Sequence, residues 1–256
     1  MTRNFAIASA AAVCLAIPGS RVSAQSAADW ISKGDAAYAA RNASDAIAAY
    51  DRAIAIDPNS YDALWRDARA QVDVATFDPD ADKRTAIYKS AQAHAAHAVE
   101  VNPGGADGHF VLSEALGRMA LTLGARDRVK YAGKVRDEAL ACLKIDPAHP
   151  GCLHVMGVWN AEIMRLNGLT RMVARNFLGG GVFNEASWAN ARRYMEEAVK
   201  NDPRRIVHRL DLAKVYRDMG LKPAARTEFE AVVSGQLIDY NDPQFKLEAE
   251  SALKTM

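Results

Sequence analysis

One dipeptide recurs through the chain and sets its frame. Asp or Asn followed by Pro stands at 57–58, 102–103, 146–147, 202–203 and 242–243. The prolines are 45, 44, 56 and 40 residues apart. Proline lacks an amide donor and clashes with the preceding turn, so each marks a place where a helix cannot continue. The first four follow apolar, small-residue runs: AIAAYDRAIAI, AQAHAAHAVEV, RDEALACLKI and ARRYMEEAVKN. Alanine spaced through them points to closely packed helices, and β-branched runs that would favour a sheet are scarce. Asp242-Pro243 instead opens a last helix, expected to about Lys254 with a solvated acidic and lysine-rich face. A regular stop over this length restricts the chain to stacked helical hairpins.

The first hairpin carries the pattern in full. Trp30, Gly34, Ala46, Tyr50, Ala53 and Pro58 occupy the large, small, small, aromatic, small and proline positions of a tetratricopeptide repeat, a helical hairpin of about 34 residues. Gly34, Ala46 and Ala53 let two helices approach closely, and Trp30 and Tyr50 fill the space beside them. Later units pair Tyr61–Thr76 with Arg84–Val101, Asp107–Leu123 with Asp127–Ile145, and Ile206–Met219 with Pro223–Val233. The fourth, between Gly151 and Pro203, holds an insert ending in FLGGGVF, Phe177–Phe183. The polar connector FDPDAD, Phe77–Asp82, lacks the Gly and terminal Glu of an EF-hand and reads as a plain loop. The expected fold is all-α: a superhelix of about five hairpins plus a C-terminal capping helix, spanning 25–256.

Residues 1–24 read as a signal peptide: Arg3, an apolar run Phe5–Ile17, a Pro18-Gly19 break, and small residues Val22-Ser23-Ala24 at a cleavage site. Gln25 would then begin the mature chain. The apolar run is shorter than the ~20 residues that span a bilayer, and Cys14 lacks the small preceding residue of a lipoprotein site. The expected location is periplasmic or secreted, with no stable membrane insertion after cleavage. The alternative is mitochondrial, because Arg3 and Arg21 bracket a stretch without acidic residues. A net charge of +1 provides no global attraction to nucleic acid.

From His154 onward the resemblance becomes more specific. His154, Gly157 and Trp159 on one helix, the segment FNEASWANARRYMEEA over Phe183–Ala198, and His208, Leu212, Lys214 and Tyr216 in the last repeat resemble the regulator of microtubule dynamics family. The similarity covers 130–256 and extends toward Asp107. It implies a tetratricopeptide-like helical fold, no catalytic residues and an interaction role; animal members of that family are linked to microtubules and to mitochondrial or reticulum membranes.

Few residues suggest chemistry. Gly179–Gly181 lacks the Lys-Ser/Thr and preceding strand of a phosphate loop and reads as a tight turn. Arg165, Arg171, Arg175, Arg192, Arg193, Arg204, Arg205 and Arg209 make the second half locally basic. They read as a solvated face paired with Glu162, Glu185, Glu196 and Glu197, the alternative being recognition of carboxylate or phosphate. Cys142 and Cys152 flank the Asp146–Pro150 turn. Cys142 can be a buried small residue of the repeat, the two can form a disulfide suited to an oxidising compartment, or they can join His149 and His154 in a metal site that matches no standard finger. The first reading is preferred, and no metal or cofactor is expected. His94, His97 and His109 read as packing or surface histidines. No embedded nucleophile occurs, so the chain is expected not to be an enzyme.

The expected function is therefore binding of a peptide segment or protein partner in the concave groove. Repeat register assigns Trp65, Arg69, Glu114, His154, Val158, Glu162, Leu210, Lys214 and Arg217 to that groove, with Trp159 turned inward beneath the insert. The alternatives are a self-assembling envelope subunit, or a small-ligand binder using 177–183 as a lid.

Overall fold

The computed structural model describes residues 25–166, 172 and 181–256. The segments 1–24 and 177–180, with Gly179, Gly180, Arg171 and Arg175, lie outside the described residues. Eleven α-helices are present among the described residues: α1 Ala27–Ala39, α2 Ala43–Ile56, α3 Tyr61–Thr76, α4 Ala81–Val101, α5 Ala106–Ala120, α6 Ala125–Ile145, α7 Pro150–Arg165, α8 Trp188–Asn201, α9 Ile206–Asp218, α10 Lys222–Ser234 and α11 Asp242–Lys254. A 3-10 turn covers Gly181–Glu185. Successive pairs form five antiparallel hairpins, and α11 follows.

The Asp/Asn-Pro steps end helices for a local reason. Asp57, Asn102, Asp146 and Asp202 each donate a backbone N–H to the last turn and then leave helical geometry. The side chains of Asp57, Asn102 and Asp146 also accept from the backbone N–H two residues on, closing the turn beyond the proline. Side chains of Ser26, Asn42, Ser60, Asp80 and Ser187 accept from the first free amides of their helices. Asp242 differs: it is the first residue of α11, and its carboxylate accepts from the amides of Ile238 and Asp239.

The first helices of the hairpins, α1, α3, α5, α7 and α9, touch one another in sequence and form the inner layer. Small residues set the crossings. A Cβ at Gly34 would lie 2.3 Å from the ring of Tyr50, and one at Gly151 would lie 2.5 Å from Phe110. The largest apolar core runs from α3 through α7 and includes Leu64, Phe110, Leu116, Trp159 and Phe183.

The superhelix closes on itself, which the repeat pattern does not announce. The Asn241 side chain donates to the backbone carbonyl of Asp73 at 2.9 Å, across 168 residues of chain. Phe245 of α11 meets Phe77 edge-on with 5.6 Å between ring centroids. The outer face of α11 is solvated as expected, with Glu248 and Glu250 exposed. Its inner face buries Phe245, Ala249 and Ala252. No helix among the described residues is long and apolar enough to cross a membrane.

Candidate functional site

The inner helices project side chains at i, i+4 spacing onto the concave face. Three stripes result: Arg69 and Asp73 on α3; Phe110, Glu114 and Arg118 on α5; His154, Val158 and Glu162 on α7. Two cavities lie between them. A small polar one of about 40 Å³ sits at the ring closure, bounded by Tyr38, Arg69, Asp73, Glu114, His208 and Asp239 among others. A larger cleft of about 700 Å³ opens between α5, α6, α7, α8 and α9. Its walls are mostly apolar, with Val129, Val135, Val155, Val158, Trp159 and Phe183, and its rim carries Glu114, Arg118, Glu162, Arg165 and Lys214.

Of the nine residues assigned to the groove, Arg69, Glu114, His154, Val158, Glu162 and Lys214 line one or both cavities. Trp65 is buried in the core, its ring 4.4 Å from the guanidinium of Arg66 and 5.0 Å from that of Arg69. Leu210 does not line the groove: it is fully buried against α10 and α11 because its turn of α9 faces those helices. Arg217 also points away, its guanidinium 5.9 Å from the ring of Phe229 on α10.

His154 is not a free groove histidine. Its Nε2 lies 2.8 Å from an Asp211 carboxylate oxygen, and its ring stacks obliquely on His208 at 4.8 Å. Lys214 donates to Asp211 at 3.0 Å and pairs with Glu248 of α11 at 2.8 Å. Burial alone would raise the Asp211 carboxyl, but the Lys214 ammonium and the His154 hydrogen bond hold it far below the usual carboxylate range. Burial, followed by the neighbouring His154, pushes His208 well below the ordinary histidine value, so it is neutral near pH 7. Trp159 is turned inward: its indole N–H donates to the Ala132 carbonyl at 2.8 Å and its ring meets Phe183 edge-on.

At the closure, Tyr38 donates to Asp73 at 2.6 Å. Burial, with Glu114 and Asp239 nearby, pushes the Asp73 carboxyl up to about 7. Glu114 and Arg118 make no side-chain hydrogen bond or ion pair with any described residue, although both border the two cavities. Repeat register does not assign Asp73 and Arg118, yet each is the next i+4 step after Arg69 and Glu114. Asp239 and Asn241 come from a loop and carry no periodic signal.

The other candidates resolve simply. Arg165 pairs with Glu162 and Asp218, Arg192 with Glu196, Arg193 with Glu197, and Arg209 with Glu228. Glu185 pairs instead with Arg136 of α6. Arg205 reaches Asp202 and Asp239. His94 is held by the buried Asp67, and His109 by Glu138. Cys142 and Cys152 are both fully buried, but they are joined by a disulfide and are not a pair of simple thiols. The turn at Asp146–Pro150, between the third and fourth hairpins, brings the end of α6 back beside the start of α7, with the two cysteine Cα atoms 6.4 Å apart.

The chain is similar in structure to a thermophilic TPR protein of Thermus thermophilus, TTC0263, at a TM-score of 0.62 and 18% identity. That match covers 90% of this chain and 100% of the other. It is also similar to pilF of Pseudomonas aeruginosa, at a TM-score of 0.49 and 14% identity, over 90% of each chain. The first of these likenesses establishes a tetratricopeptide solenoid and nothing beyond the fold. No curated protein sequence matches the chain. The model of the family "Regulator of microtubule dynamics protein 1-3" matches residues 30–256, nearly the whole described solenoid. The helical hairpins, the His154–Gly157–Trp159 helix and that match agree: the chain belongs to the regulator of microtubule dynamics family.

Proposed function

We propose that the protein is a non-catalytic interaction module that holds an apolar segment of a protein partner in the cleft between α5, α7 and α9. One observation carries this: a cleft of about 700 Å³ has apolar walls and, at its mouth, two oppositely charged side chains without a partner among the described residues, Glu114 and Arg118. The other charges lining the cleft are engaged: Glu162 with Arg165, Asp211 with Lys214, and Arg128 with the backbone carbonyls of Leu121 and Leu123. A segment with a large apolar side chain flanked by a basic and an acidic residue complements this arrangement. Burial of the apolar group supplies affinity and the two rim charges supply orientation.

The test is a panel of synthetic peptides differing in the central residue and the flanking charges, read by fluorescence anisotropy. Val158→Arg places a charge on the cleft wall, at a partly buried position against the cluster of Ala161, Met195 and Val215, and should weaken binding at least tenfold in a chain whose helicity is retained. Exchanging the rim charges, with Glu114→Arg and Arg118→Glu together, should reverse the preferred order of flanking residues. Peptide binding indifferent to both changes would reject the assignment. The cleft volume also lies in the range of small-molecule pockets. If a fluorescent fatty probe binds in a manner sensitive to Val158→Arg and no peptide does, the occupant is a small apolar ligand instead.

A further inference from the structure

We propose that, once its disulfide is reduced, the α6–α7 junction is a binding site for a thiophilic divalent cation of the zinc class, held by Cys142, Cys152 and His149. The two sulfurs and a ring nitrogen of His149 all lie within 4.8 Å of one another. Both cysteines are fully buried and His149 is partly so. Two thiolates and one imidazole are a donor set suited to zinc, with a water at the fourth position.

The surroundings are organised around the histidine. Nδ1 of His149 accepts the Cys152 backbone N–H at 3.2 Å, so that nitrogen carries the lone pair and stands on the cysteine side. The proton then sits on Nε2, which faces an Asp107 carboxylate oxygen at 3.5 Å. A carboxylate behind the distal nitrogen is the arrangement that orients an imidazole and raises its basicity toward a metal. Phe110 holds the ring from the side, with centroids 5.1 Å apart. Cys152 is the third residue of α7, in its first turn.

The chemistry balances with a dithiol reductant. Two electrons and two protons pass from the dithiol to the Cys142–Cys152 bond, giving two thiols and leaving the reductant as a disulfide. Binding of the cation then forms two metal–sulfur bonds and one metal–nitrogen bond, releases the two thiol protons, and breaks the hydrogen bond from the Cys152 backbone N–H, so that the lone pair on Nδ1 of His149 passes to the metal. The third and fourth hairpins are thus tied covalently under oxidising conditions and through a metal under reducing ones.

The experiment uses the full chain in a Cys14→Ser background, reduced with a phosphine and titrated with Co²⁺. One equivalent should bind with near-ultraviolet thiolate-to-cobalt absorption and visible bands of a four-coordinate ion, and Zn²⁺ should displace it. The oxidised chain should show neither. Cys142→Ser and Cys152→Ser should each abolish one-equivalent binding, and His149→Ala should weaken it at least tenfold. If the reduced chain loses helicity, recovery on adding Co²⁺ supports the site, and no recovery overturns it. A reduced, helical chain without cobalt absorption also overturns it, as does unchanged affinity in His149→Ala.

Discussion

His154 shows how a single residue can have its position foreseen and its state missed. Repeat register places it on the concave face, and the structure puts it at the edge of both cavities. Register cannot show that Asp211, one turn of sequence before Lys214 on a different helix, arrives within 2.8 Å. Substituting His154 by Ala removes a hydrogen bond to a carboxylate that burial already penalises. Such bonds contribute about 1.5–3 kcal/mol. His154→Ala should therefore lower stability by about that range in urea unfolding near neutral pH. Unchanged stability together with weaker peptide binding would return His154 to the role of a partner contact. The cysteines illustrate the same limit: their spacing is visible in the sequence, but their pairing depends on how tightly the Asp146–Pro150 turn folds back.

Between helices, the controlling variable is the room available at each crossing. Gly34 and Gly133 are both glycines inside helices, but only Gly34 falls on a small position of the repeat pattern. Gly34 faces the ring of Tyr50, whose hydroxyl is tied to Asp35 at 2.8 Å and cannot swing away. Gly133 has nothing within 4 Å of an added Cβ. Gly34→Ala should therefore cost about 1–3 kcal/mol by overpacking. Gly133→Ala should add about 0.5–1 kcal/mol by removing the entropy cost of a helical glycine. Opposite shifts in the urea midpoint of the two variants are the expected result. The same comparison tests the first hairpin, whose small-aromatic pairing is legible directly from Gly34 and Tyr50.

At the scale of the molecule, the distinctive feature is closure of the superhelix by α11 and the loop before it. The seam brings Asp73, Glu114 and Asp239 together, offset by Arg69 and Arg205. Burial, with those carboxylates, raises Asp73 to about 7. A raised carboxyl binds its proton more tightly in the folded than in the unfolded chain, so its contribution is complete below about pH 4 and is lost as pH rises through 7. Melting temperature should fall between pH 5 and pH 8 in the natural chain. Asp73→Asn should remove most of that fall and raise the melting temperature at pH 8. An unaltered pH profile in the variant would show that Asp73 does not control the seam.

Helix positions, hairpin count and the small-residue crossings were determined by the sequence itself, because proline stops, capping side chains and 3.6-residue periodicity act within one or two turns of chain. The inner stripe is legible too, as far as the i+4 rule is followed: register finds Arg69 and Glu114, while Asp73 and Arg118 lie one step further along the same stripes. The tertiary structure alone decided which end of α9 faces the groove, burying Leu210 and turning Arg217 aside. It alone placed Asn241 against Asp73 and paired His154 with Asp211. Such contacts depend on the summed twist of five hairpins, in which small rotations accumulate from one repeat to the next. No local pattern of residues encodes that sum.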